Sequence, residues 1–232
     1  VATSWRQIDD LTFEFTLKKG VKFHNGEELK ASDVKFTIER ALKSTFIGHI
    51  VGQIEAVTVV SDYLLTIKTK QPFAPLLTHL AHPAMSVLNE KAVVAAGDKY
   101  GENPVGTGPF KFVSWTKLDN IVLTRNDDYH GTKAKVKDVT FKIVTDNTVR
   151  TIQLETGELD IAYDIQASDV SRVEGNAELK LLRSANLATT YIGFNTEKEP
   201  FNDVRVRQAI NYALDMNRSE EHTSELQSLS HL

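Results

Sequence analysis

Short apolar–polar alternations and short helical periodicities follow one another along this chain at no fixed interval. That pattern restricts it to a mixed α/β fold with both hairpins and crossovers. Residues 11–17 alternate and place Phe13 and Phe15 on one face. Residues 63–69 do the same with Tyr63, Leu65 and Ile67, and with 54–60 they predict a half-buried hairpin around Ser61-Asp62. Residues 136–145 predict a further strand through Val139, Phe141 and Ile143. The apolar period then lengthens to that of a helix over 33–43, where Val34, Ile38, Ala41 and Leu42 form one stripe, and over 203–215, where Val206, Ile210, Ala213 and Leu214 do.

Breakers set the remaining elements. Asn89 as N-cap and Gly97 as stop bound a helix over 90–96. Another is expected over 72–82 with Pro75 in its first turn, one over 147–156 closed by Gly157, and a short one capped by Ser168 or Asp169. Strands are expected over 110–115, 120–125, 160–165, 178–184 and 190–195. Asn103-Pro104-Val105-Gly106-Thr107-Gly108-Pro109 is a breaker-rich loop and a candidate domain boundary. No internal repeat is present.

With 232 residues, 41% hydrophobic and 25% charged, the chain can build one large domain or two small ones without covalent staples. A net charge of −4 and the lack of a basic stripe make nucleic acid a poor partner. The absence of cysteine removes disulfides, thiolate nucleophiles and zinc knuckles. No apolar run approaches the roughly 20 residues of a membrane helix. The start, Val1-Ala2-Thr3-Ser4-Trp5, reads as truncated or processed. The run from Arg218 through Ser219, Glu220, Glu221, His222, Thr223, Ser224, Glu225, Leu226 and Gln227 to Ser228 resembles the translation of a common short-read sequencing adapter. Residues 218–232 are therefore read as a non-native tail.

Reaction chemistry is sparse. Nucleophile-elbow, zincin and phosphate-loop motifs do not occur. In Gly106-Thr107-Gly108-Pro109 the proline removes the next backbone donor, so a structural turn is favoured over a phosphate cradle. His79 and His82 have the i,i+3 spacing that can share a metal, but no third ligand stands beside them, and packing or surface roles are favoured. His24 beside Asn25-Gly26 reads as a turn residue, and Asp127-Asp128 as loop caps. Phe110, Phe112 and Trp115 are either a core face or a binding platform, with core favoured. No cofactor or metal is implied, and a binding module is favoured over an enzyme.

Three stretches carry a more specific signal. The first runs from Leu11-Thr12-Phe13-Glu14-Phe15 through Lys19-Gly20-Val21-Lys22-Phe23-His24-Asn25-Gly26 into Ala31-Ser32-Asp33-Val34-Lys35-Phe36. The second joins the 103–115 segment to Arg125-Asn126-Asp127-Asp128-Tyr129-His130-Gly131. The third is Tyr191-Ile192-Gly193-Phe194-Asn195-Thr196 followed by Pro200-Phe201-Asn202-Asp203-Val204-Arg205-Val206-Arg207-Gln208-Ala209-Ile210-Asn211-Tyr212-Ala213. Together, and in this order, they resemble family 5 bacterial extracellular solute-binding proteins, the dipeptide, oligopeptide and nickel-binding group of ABC importers. The resemblance covers 1–217. Lys30 stands where the family usually has a Ser or Thr N-cap, so Ser32 is expected to cap the helix one turn later.

The resemblance implies a two-lobed periplasmic-binding-protein fold with an extra domain, only partly present here. Residues 1–103 would form the extra domain, 104–196 the first-lobe sheet domain and 197–217 the start of the second lobe. It implies capture of a peptide, or of a nickel chelate, haem, glutathione or oligosaccharide, and delivery to membrane permease subunits. The full-length protein would be a monomer, periplasmic or anchored at the surface as a lipoprotein. His82, Met85, Tyr191 and Asn195 are the residues expected to face the ligand. Separated from its second lobe, the chain should expose apolar surface.

Overall fold

The alternation in the first motif folds as read. β1 (Ala2–Gln7) and β2 (Thr12–Leu17) form an antiparallel pair, and β3 (Ile54–Ser61) and β4 (Leu64–Thr69) form a hairpin. The four strands make one antiparallel sheet in the order β1-β2-β4-β3. Register sets Phe13 opposite Ile67 and Phe15 opposite Leu65, so the large apolar side chains of both central strands fall on one face. The computed structural model describes residues 1–184 and 191–214 and falls into two units, Val1–Ile143 and Val144–Leu232.

α1 (Ala31–Leu42) covers the buried face, with Ala31, Ile38 and Ala41 inward. Phe13, Leu17, Val21, Phe23, Leu29, Leu65 and Ile67 complete the core, and Leu29 and Leu65 are wholly buried. The expected cap at Ser32 is not the one used. The helix begins at Ala31 with Lys30 as N-cap. Lysine has no acceptor to offer the first turn. Asp33 supplies the closure instead, its Oδ2 accepting from the Lys30 N–H at 2.9 Å. Lys30 is held in turn by Asp62, 2.8 Å from its Nζ.

Asp33 also reaches outside its own helix. Its Oδ1 accepts from Glu90 N–H at 3.1 Å, and Thr37 Oγ accepts from Leu88 N–H at 2.9 Å. Both side chains are buried. They fix the chain entering α4 (Glu90–Ala96), whose N-cap is Asn89, as expected. α2 (Gly48–Val51) joins α1 to β3, and α3 (Leu76–Leu80) follows β4. α3 is shorter than the 72–82 span, because Pro75 is its N-cap and a separate 3₁₀ turn occupies Pro83–Met85.

The second sheet orders β5 (Phe110–Thr116), β6 (Asn120–Arg125) and β7 (Asp138–Lys142). β7 is shorter than the predicted 136–145 because it pairs only over the length of β6.

In the second unit, α5 (Asn147–Glu155) packs on α6 (Ala167–Glu174), and α7 (Val204–Ala213) is the last part of the third motif. α6 is capped by Gln166, not by Ser168 or Asp169. Asp169 instead accepts from the buried Thr151 hydroxyl of α5 at 3.0 Å. Arg172 clasps Glu155 and holds its carboxyl below the usual range, chiefly through their hydrogen bonds.

Three expected strands are not ladders. Residues 160–165 are broken by Asp164, whose φ of 57° leaves the extended region. Residues 178–184 follow a turn in which Asn176 Oδ1 accepts from Glu178 N–H, and they form no strand among the described residues. Residues 191–195 form no strand among the described residues either, and Thr190 lies outside them. So does the tail, 218–232.

Asp33→Ala should lower the unfolding free energy by about 2–3 kcal/mol, because two part-buried backbone N–H groups lose a charged acceptor. Asp33→Asn should lose less, since one amide oxygen still accepts. Urea unfolding of both variants against wild type measures the difference.

Candidate functional site

His24 ties the turn after β2 to the loop that leads into β5. His24 sits in the Asn25-Gly26 turn that the sequence marks. Its backbone N–H donates to Gly106 O at 2.8 Å. Its Nδ1 accepts from Gly106 N–H at 3.2 Å, and its Nε2 lies 3.1 Å from Gly108 O. An Nδ1 that accepts leaves the proton on Nε2, which therefore donates to Gly108. Gly108 O also accepts from Asn126 Nδ2 at 3.1 Å, and Asn126 is buried. Burial pushes the His24 imidazole below its ordinary range. The Gly108 carbonyl opposes that shift and Lys111 adds to it.

The same loop is braced from its other side. Tyr100 Oη donates to Val105 O at 2.7 Å and accepts from Val105 N–H at 3.2 Å. The breaker-rich segment is thus a rigid connector between the first sheet and β5.

On this connector opens a cavity of about 590 Å³. Phe110, Phe112 and Trp115 of β5 and Ile121 and Leu123 of β6 form its wall, and Val87 and Thr107 its rim. Pairing produces the wall, since Phe112 stands opposite Leu123 and Trp115 opposite Ile121. A bulge between Phe112 and Ser114 returns Trp115 to the face of Phe112. Phe110 and Phe112 are half-buried, and Trp115 is 43% exposed. The face is thus neither a closed core nor a free platform. A volume of this size, walled by aromatics with a few polar groups at its edge, suits a small organic ligand or an apolar side chain. A smaller polar cavity of about 240 Å³ lies on the other side of His24, lined by Lys22, Asn25, Lys111, Asn126 and Asp128.

The four residues expected to face a ligand are distributed differently. Met85 is 6% exposed and belongs to the core of the first unit. His82 is exposed, and its Nδ1 accepts from Ala84 N–H at 3.1 Å, capping the 3₁₀ turn. Their segment reaches the larger cavity through Ser86 and Val87 instead. Tyr191 and Asn195 lie in the second unit. Tyr191 is 82% exposed, and Asn195 Oδ1 accepts from Glu197 N–H at 3.0 Å. His79 does not partner His82. Its Nδ1 is 2.6 Å from Ile50 O, and its ring meets Phe73 edge-on. Among the described residues no three His, Asp or Glu side chains gather as a metal site. No described helix is long and apolar enough to cross a membrane.

Sequence reasoning missed the His24 bridge. Its only signal was the presence, in two separate motifs, of an isolated histidine and a Gly-x-Gly turn.

The chain matches the family described as "Bacterial extracellular solute-binding proteins, family 5 Middle" over residues 1–219, and it belongs to that family. The glutathione-binding protein GsiB of Pectobacterium atrosepticum is 35% identical over 214 residues, which cover 89% of this chain and 41% of the relative. The ABC transporter-associated periplasmic binding protein DppA of Helicobacter pylori, solved with the peptide STSA, is 30% identical with a TM-score of 0.88, over 95% of this chain and 48% of that one. The oligopeptide-binding protein AppA of Bacillus subtilis, solved with a nonapeptide, is 32% identical with a TM-score of 0.82, over 94% and 45%. The fold is therefore of the periplasmic-binding-protein type. The chain spans somewhat less than half the length of these relatives.

In a Trp5→Phe background Trp115 is the sole tryptophan. An apolar fluorophore filling the larger cavity should then show energy transfer from Trp115. Phe112→Asp should weaken that binding about tenfold, or about 1.4 kcal/mol. A fluorescence titration of both variants checks this.

Proposed function

We propose that the protein is the substrate-binding component of an ABC importer that captures peptides and delivers them to permease subunits in the membrane. The observation that carries this reading is the close structural match to the Helicobacter protein, whose bound ligand is a peptide. Capture would occur in a cleft between lobes that close by a hinge motion, excluding water from the polar contacts to the ligand backbone. The reading assigns no bond-breaking step to the protein, in keeping with relatives that are named as binding proteins and with a sequence that lacks nucleophile and metal motifs. Residues 1–103 would be the extra domain and 104–196 the first-lobe sheet domain, a division supported by the four-stranded sheet ending before residue 103 and the three-stranded sheet starting after it. As the family description suggests, the protein would work outside the cytoplasm, in the periplasm or as a surface lipoprotein, and as a monomer.

Of the expected ligand-facing residues, His82, Tyr191 and Asn195 retain that role in this reading, because their side chains are exposed and Met85's is not. Tyr191 offers a flat apolar ring with a hydroxyl, and Asn195 an amide, groups that suit a peptide. Glutathione is a second ligand to weigh, favoured by the Pectobacterium relative.

Mass spectrometry of ligand co-purifying with the full-length protein should find short peptides or glutathione, and a non-peptide ligand alone would overturn the reading. Calorimetry of full-length Tyr191→Ala and His82→Ala should show affinity weakened by about 1–2 kcal/mol each, with melting temperature little changed.

A further inference from the structure

We propose that His24 is a proton-operated latch, which holds the 106–108 loop against the 24–26 turn when neutral and releases it when protonated. The geometry carries this. The ring touches the loop at both nitrogens, accepting from Gly106 N–H and donating to Gly108 O. A second proton must go to Nδ1. It would then point at the Gly106 N–H, and an attraction would become a contact between two donors. Neither Gly106 nor its neighbours can turn to offer an acceptor cheaply, because Gly106 O already receives the His24 backbone N–H and Tyr100 clamps Val105.

The surroundings reinforce the neutral state. Lys111 of β5 and Lys22 of the turn's own segment line the small cavity beside the ring. The one carboxylate there, Asp128, is exposed and lies 3.8 Å from Lys111. On the side of the larger cavity no lining residue other than His24 carries an ionisable side chain. No buried carboxylate on the lining of either cavity stands ready to hold an imidazolium. Because His24, Gly106, Thr107 and Gly108 all border the larger cavity, release of the loop would loosen its edge.

The sign follows from burial. A histidine whose folded value lies below its unfolded value binds fewer protons when folded. Its contribution is complete above about pH 6.5 and is lost as pH falls from there toward the folded value. The carboxylates of Glu27, Glu28 and Asp127 are held below their ordinary range, so their contributions persist to lower pH and stay separate from this window. His130 is also pushed down by burial and is the necessary control.

The test is nitrogen-detected NMR of the imidazoles together with amide hydrogen exchange across pH 4.5–8 on the chain. Expected are an Nε2–H tautomer for His24 at neutral pH, and a protection factor at the Gly106 amide that falls by up to about tenfold per pH unit as pH drops from about 6.5 toward the His24 folded value and levels off below it. Thermal stability of wild type should decline through this window, His130→Gln should keep the part of the decline due to His24, His24→Gln should decline less than wild type, and the double variant should be flat. An Nδ1–H tautomer, or Gly106 protection that ignores His24 titration, overturns the latch. Both readouts use wild-type protein, so they stand even if His24→Gln does not fold.

Discussion

The first unit depends on a single polar seam. A four-stranded sheet with its helix buries most of the apolar side chains of the unit, whereas the three-stranded sheet has a half-open face. Burial alone therefore gives the second sheet little reason to sit where it does. Direction comes from hydrogen bonds at the connector, with His24 and Asn126 converging on Gly108 O from opposite motifs. Polar groups of this kind, satisfied and partly desolvated, fix one arrangement rather than adding much net stability. The two family motifs that flank the seam are thus two halves of one joint.

A second polar device works inside the first sheet domain. Asp33 and Thr37 look like ordinary helix residues, but they also terminate backbone donors of the segment entering α4. The tyrosine clamp at Val105 repeats the idea with a phenol. In each case a side chain supplies to a loop the partners that a neighbouring strand would supply within a sheet.

The sequence disclosed most of what local patterning controls. β2, β4, α1, α4 and the β5–β6 pair were legible because alternation, Asn89 and the turn dipeptides are local signals. Residues 160–165 and 178–184 also look extended and partly apolar, but a strand needs a neighbour, and neighbours are not written locally. The left-handed Asp164 has no sequence mark beyond its residue type. The cap at Lys30 was misplaced because lysine has no acceptor and the acceptor came from Asp33. Of the site, exposure at His82 and Tyr191 could not be read from residue type, nor could the burial of Met85 in the core while its neighbours Ser86 and Val87 border the larger cavity. His24 stayed hidden because its partners lie more than eighty positions away.

The outer strand β1 is exposed along its whole length, yet its pairing with β2 shifts between Ala2 and Ser4. Such a shift bends and twists the edge of a sheet. A flat, regular edge is a template for strand addition, whether from a passing peptide or from another polypeptide chain. The irregularity at Ala2–Ser4 spoils that template at one end, while the Arg6–Glu14 ion pair sets charge beside the other. The edge of the sheet is thereby a poor acceptor for an added strand.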